Sequence, residues 1–199
     1  MQRIVIPGEK ISDTAVRMHN TLIHNGKTYS MIVGLYNDEK SMLIPLEGLW
    51  HPAYGDTVVG VIEEDRLNTY NVTLNSPYKG LLISKFVQEQ LNKGDLVEAS
   101  VKELDKTQTV VLMRPRKLSG GKVFSITPSK VPRVLGKGNN MLRELSASTK
   151  STIIVGHNGV IWLKGGNTQL AMDAILRIQE EAHTTGLTDR IKEMLSKGS

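Results

Sequence analysis

Residues 131–162 read VPRVLGKGNNMLRELSASTKSTIIVGHNGVIW, and the architecture of the last third of the chain follows from them. Two glycine-marked turns stand out. Gly136-Lys137-Gly138-Asn139 follows a short apolar run, and Gly156-His157-Asn158-Gly159 separates two β-like segments, 152–155 and 160–163. Between the turns, 140–148 has the spacing of a helix. Working outward, 122–126 reads as a strand, and Thr127-Pro128 starts a helix, with Thr as cap and Pro at the first position. Beyond the stretch, 168–182 is a long helix whose Leu170, Ala171, Ala174, Ile175, Ile178 and Ala182 share a face. Gly186 ends it, and Thr188 caps a last helix through Leu195 that covers the module.

The order β-α-α-β-β-α resembles the type I KH module, here with an extra carboxy-terminal helix. In that module a Gly-x-x-Gly loop joins the first two helices and holds a nucleic-acid backbone, because bare glycine lets phosphates approach the peptide amides. The resemblance makes Gly136, Lys137 and Gly138 candidates for RNA contact, with a purely structural turn as the alternative. Asn139 stands where glycine is usual; asparagine tolerates left-handed backbone, but its side chain occupies the path of the RNA. A dinucleotide fingerprint is set aside, since Met141 fills the sixth position and a helix precedes the turn.

Upstream, 57–62, 69–74, 80–83, 96–101 and 109–113 read as five strands, with a short helix at 84–91. Five strands with a helical insert after the third is the layout of an OB barrel. Gly55-Asp56 and Gly94-Asp95 supply turns at matching corners. Here the sequence resembles barrels of ribosomal-protein-S-one type, whose exposed aromatics stack bases. Only Tyr70 and Tyr78 are candidates for that role, against barrel packing, and Phe86 is read as helix core. Arg114 through Gly121, with Pro115 and Ser119-Gly120-Gly121, reads as the connector to the next domain.

The first block reads as strands with tight turns. Val5-Ile6-Pro7-Gly8 ends one strand, Asn25-Gly26 makes a hairpin, and Met42-Leu43-Ile44-Pro45 forms another strand. Such a short block has a thin core and is expected to lean on a neighbouring domain or partner. Trp50 and Tyr54 near its end are read as packing residues.

The chain has 199 residues, 39% of them hydrophobic, and no cysteine, which removes disulfides, thiolate catalysis and nearly all structural zinc sites. No apolar run approaches a membrane span, and the first residues are too soon broken for a signal segment, so a cytoplasmic location is expected. The net charge is +5, and the whole excess lies in 119–199, where 11 basic residues face 6 acidic ones. Nine basic residues fall between Arg114 and Lys150 (Arg114, Arg116, Lys117, Lys122, Lys130, Arg133, Lys137, Arg143 and Lys150), with Glu144 the one acid. A patch of this kind suits polyphosphate chains, the alternative being a solvated surface, and Arg114, Arg116, Lys117, Lys122 and Lys137 are the expected phosphate contacts. His19, His24, His51, His157 and His183 show no metal-ligand spacing. The carboxylate runs Glu63-Glu64-Asp65 and Glu180-Glu181 show no catalytic pairing. No cofactor, metal or enzymatic activity is expected.

Gly156-His157-Asn158-Gly159 before Val160-Ile161-Trp162 resembles the Gly-x-Asn-Gly signature of the RNA-binding cap subunits of the archaeal exosome, the ribosomal-RNA-processing protein four family. Val5-Ile6-Pro7-Gly8-Glu9, the junction from Ile44-Pro45-Leu46 to Gly55-Asp56, and the tail from Glu181 to Arg190 agree with that family. The resemblance implies three domains: a β-rich amino-terminal ring-docking domain over 1–54, an OB barrel over 55–118 and a KH domain over 119–199. It also implies three copies capping a phosphorolytic hexameric ring, with single-stranded RNA fed by its 3′ end into the pore. In the family the Gly-x-Asn-Gly turn packs the KH module on the barrel, so Gly156, Asn158 and Gly159 are expected to be structural. A free-standing OB–KH factor for transcription or ribosome work is the alternative.

Overall fold

A computed structural model describes residues 2–18, 21–38, 41–45, 48–87, 89–182, 184 and 186–197, with backbone alone for 2, 44, 45, 86 and 197. His19, Leu46, His183, Thr185 and the side chain of Phe86 lie outside the described residues. Contacts divide the chain into two compact units, 1–48 and 49–199.

The first unit is all β. Strands β1 (Gln2–Val5), β5 (Gly34–Asn37) and β6 (Met42–Pro45) form one antiparallel sheet, and β2 (Lys10–Ser12), β3 (Thr21–His24) and β4 (Lys27–Ser30) form another. Asn25 and Gly26 both have positive φ, the conformation a two-residue hairpin needs, and they bring His24 opposite Lys27. The core is thin: Val5, Ile11, Tyr36 and Leu43 are its buried residues, while Ile4, Ile6, Leu22 and Met31 are exposed.

Near the start of the second unit Trp50 packs in the barrel core and donates its indole N–H to Asp56 at 2.9 Å. Strands β7 (Thr57–Arg66), β8 (Thr69–Thr73), β9 (Lys79–Ile83), β10 (Leu96–Leu104) and β11 (Thr109–Leu118) close in the order β7-β8-β9-β11-β10. β9 and β11 are parallel and the other pairs antiparallel, as in an OB barrel. The two corner turns are built alike. Gly55 and Gly94 have positive φ, and Asp56 and Asp95 each accept from the backbone N–H three residues earlier, Ala53 and Asn92.

Two expectations change here. The helix at 84–91 is a single 3-10 turn, Ser84–Phe86, because Val87 returns to extended backbone and Leu91 turns into the barrel core. The expected connector at Arg114 is strand: β11 continues to Leu118 past a bulge at Arg114, whose φ is 52°. Pro115 is tolerated because it sits in the bulge, where β9 no longer pairs with β11.

The KH module has strands β12 (Lys122–Ser125), β13 (Thr152–Val155) and β14 (Val160–Lys164), in the order β12-β14-β13. Its helices are α1 (Val131–Leu135), α2 (Asn140–Thr149), α3 (Thr168–Glu180) and α4 (Leu187–Lys197). Alternation along the sheet splits it cleanly. Ile153, Val155, Ile161 and Leu163 face the helical core with Val134, Leu145, Ile175 and Ile191, while Ile154, Val160 and Trp162 join Val59 and Leu118 of the barrel. α4 contributes Leu187, Ile191 and Leu195 to the core. Thr188 lies inside α4 rather than capping it, and α3 ends at Glu180, ahead of Gly186.

Candidate nucleic-acid interface

The seam between barrel and KH module is polar at its centre. Asn158 is 1% exposed; its Nδ2 donates to the carbonyls of Val59 at 2.8 Å and Leu74 at 2.7 Å, and its Oδ1 accepts from the Val59 amide at 3.3 Å. One side chain thereby satisfies backbone groups of β7 and of the residue just after β8. Next to it the His157 amide donates to the Thr57 carbonyl at 2.7 Å. Gly156 is required by space: a Cβ there would lie 2.2 Å from Asn158 Oδ1 and 2.9 Å from the Val59 amide. Gly159 has φ of 83°, and its amide closes the turn on Gly156 O. Trp162 completes the seam by donating to Gly120 O at 2.7 Å.

The loop between α1 and α2 holds the second glycine pair. Gly136 has φ 70° and ψ 174°, a region L side chains avoid, and Gly138 and Asn139 are both left-handed. Asn139 thus carries the turn that glycine usually carries, with its side chain exposed. Arg143 from α2 donates to the Gly138 carbonyl, tying the loop to the helix behind it. Lys137 and Gly138 are exposed.

The predicted cations do not act as one patch. Arg116 pairs with Glu98, and Lys117 Nζ lies 2.6 Å from Asp95, both pairs bridging β11 to β10 or its preceding turn. The Lys117 hydrogen bond, with the Asn92 amide, holds the Asp95 carboxyl below the usual carboxylate range. Arg114 stands exposed at the bulge and Lys122 exposed on β12. Neither pairs with a carboxylate among the described residues.

Tyr70 and Tyr78 both pack on the barrel core. Tyr70 is 8% exposed and packs within the barrel core. Tyr78 is half-buried, edge-on to Trp50 with centroids 6.1 Å apart, and its hydroxyl lies 3.1 Å from His51 Nδ1. Tyr54, read from sequence as a packing residue beside Pro52, is instead 79% exposed. Glu63 and Glu64 are engaged on the barrel surface by Thr73, Asn71 and Arg66, and among the described residues no three His, Asp or Glu side chains gather as a metal site. No helix among them is long and apolar enough to cross a membrane.

The structure also gathers residues that sequence spacing did not connect. Arg133, Gly136 and Lys137 share one cleft with Thr188 and Lys192 of α4. Only the exposed i, i+4 spacing of Thr188 and Lys192 hinted that α4 has a second working face.

Comparison with known proteins agrees with this architecture. The KH domain family model matches residues 121–169. The exosome complex component Rrp4 of Methanobrevibacter smithii is 38% identical, over 97% of this chain and 70% of that protein. Its counterpart in Pyrococcus furiosus is 35% identical over 98% of this chain and 83% of its own length, and that of Methanothermus fervidus 36% over 96% and 94%. A crystal structure described as an exosome complex RNA-binding protein superposes with a TM-score of 0.67 at 33% identity, covering 75% of this chain and 97% of that one.

Proposed function

The chain belongs to the family of the exosome complex component Rrp4, and from that premise we propose that it is a non-catalytic, cytoplasmic RNA-binding cap subunit. In this reading three copies sit on a phosphorolytic ring, capture single-stranded RNA and guide its 3′ end inward. The three parts divide the work: residues 1–54 dock to the ring through exposed apolar side chains such as Ile4 and Ile6, and the barrel and KH module handle RNA.

The observation that carries the reading is the Asn158 seam. It joins two modules of nucleic-acid-binding type into one body, so a strand held by one reaches the other at a set offset. Affinity then comes from several weak contacts multiplied by copy number. Lys137, Arg114 and Lys122 supply phosphate contacts, with the amides around Gly136 and Gly138. Arg116 and Lys117 contribute less, because Glu98 and Asp95 already hold them.

The test is RNA decay by the ring with and without this chain. The expected result is faster and more complete decay of single-stranded RNA when the chain is present, with no shortening by the chain alone. Shortening by the isolated chain, or decay indifferent to its presence, contradicts the reading.

A further inference from the structure

Two clefts in the second unit differ in chemistry. One, of about 310 Å³ between β7, β10 and β12, is lined largely by apolar side chains such as Val61, Leu96 and Val123. The other, of about 450 Å³, lies between the α1–α2 loop and α4 and is lined by three cations, Arg133, Lys137 and Lys192, against one acid, Glu144. The second is large enough for one nucleotide unit.

The geometry points to this α4 cleft as a binding site for a phosphodiester of single-stranded RNA, with Lys192 and Arg133 as its cations beside Lys137. The inference rests on the RNA-binding reading above and extends it to a helix outside the β-α-α-β-β-α module. Four observations carry it. Among the described residues none of the three cations pairs with a carboxylate, in contrast to Arg116, Lys117, Arg177 and Arg190. Unpaired cations gathered on one concave wall hold a field that an anion relieves. Gly136 lines the same cleft and, with Gly138 exposed beside it, keeps the loop there free of bulky side chains around Lys137. The first turns of α2 and α4 also form part of the wall, adding partial positive charge and the Thr188 hydroxyl. Lys192 lies four residues from Thr188, so α4 presents both to the cleft, while Ile191 and Leu195 on the adjoining face anchor the helix in the core and Leu187 packs at the base of the cleft.

The experiment is a salt titration of binding by the full chain to a single-stranded oligoadenylate. The variants are Lys192→Glu and Lys192→Ala, with Lys93→Glu as the charge-matched control on the barrel. Lys192 and Lys93 are exposed, and circular dichroism checks that each variant folds. The expected result is a roughly fivefold to tenfold loss of affinity for Lys192→Glu, with a log–log salt slope lower by about one, and little change for Lys93→Glu. Amide shifts of Gly136, Lys137 and Thr188 on adding oligoadenylate locate the contact in the cleft. If wild type binds RNA and Lys192→Glu matches Lys93→Glu, the cleft assignment falls while the RNA-binding reading stands. If wild type binds no RNA, both fall. If inorganic phosphate moves those amides and oligoadenylate does not, the site takes free phosphate and the RNA assignment is overturned.

Discussion

Asn158 and Val59 hydrogen-bond in both directions: the Asn158 amide donates to the Val59 carbonyl at 2.8 Å and its oxygen accepts from the Val59 amide at 3.3 Å. A side chain of the KH module thus reads a backbone peptide of the barrel as a neighbouring strand would, in a place where water is excluded. Leaving a buried backbone group unpaired costs about 1–3 kcal/mol, so this contact is costly to remove. Asn158→Ala in the full chain is expected to lower stability by roughly 2–4 kcal/mol in urea unfolding, and to release barrel and KH module from one cooperative transition. A cooperative transition at the wild-type midpoint counts against the clamp.

Gly156→Ala reaches the same seam by another route. Its methyl meets the Val59 amide, which is backbone, and Asn158 Oδ1, the end of a side chain fixed by its bonds to Val59 and Leu74, so the clamp must open to admit it. The variant should lose about as much stability as Asn158→Ala, and the double variant little more, because both break one interaction. Additive losses indicate that the two residues act separately.

The loop glycines are expected to differ from each other. At Gly136 a Cβ would lie 2.8 Å from Met141 Cβ, on top of backbone strain, whereas Gly138 is left-handed with open space around it. Gly136→Ala should therefore cost about 3 kcal/mol and Gly138→Ala about 1 kcal/mol. Thermal unfolding of both variants decides this, and equal losses contradict the loop geometry.

Much of this arrangement is legible in the sequence, and what is not has a common cause. Strand alternation, the Asn25-Gly26 hairpin and the two Gly-Asp corners are local signals, and the elements they predict are present. Tyr70 could not be placed, because an aromatic on a barrel strand faces in or out according to register, which partner strands set. Arg116 and Lys117 looked free because their partners Glu98 and Asp95 are far away in sequence. Pro115 and Ser119-Gly120-Gly121 suggested a break at Arg114 that a bulge removes. Asn167, which caps α3 by accepting from the Leu170 amide at 3.1 Å, carried a cap signal that the periodic run from Thr168 obscured.

Glu181 gives a pH dependence. Hydrogen bonds from Arg177 and then Arg190 hold its carboxyl below the usual glutamate range. A folded value below the unfolded one contributes stability above the unfolded value, about 4.3, and loses it as pH falls through the folded value. Arg190 lies on α4 and Arg177 on α3, so the attachment of α4 should weaken in acid. Amide exchange of α4 is expected to speed up as pH drops through that window, after correction for intrinsic rates, and Glu181→Gln should flatten the change. An unaltered pH profile in Glu181→Gln contradicts the assignment.

RNA binding should separate the paired cations from the unpaired ones. Lys137→Glu is expected to lower the log–log salt slope by about one, whereas Arg116→Glu, whose wild-type charge is already met by Glu98, should leave it nearly unchanged. Equal slopes for the two variants contradict that distinction.

The most direct measurement of the central claim is the native mass of the complex that carries this chain in its source cells. The account predicts a particle with three copies of the chain on a six-subunit phosphorolytic ring, retaining bound RNA. A monomer found apart from any such ring would contradict it.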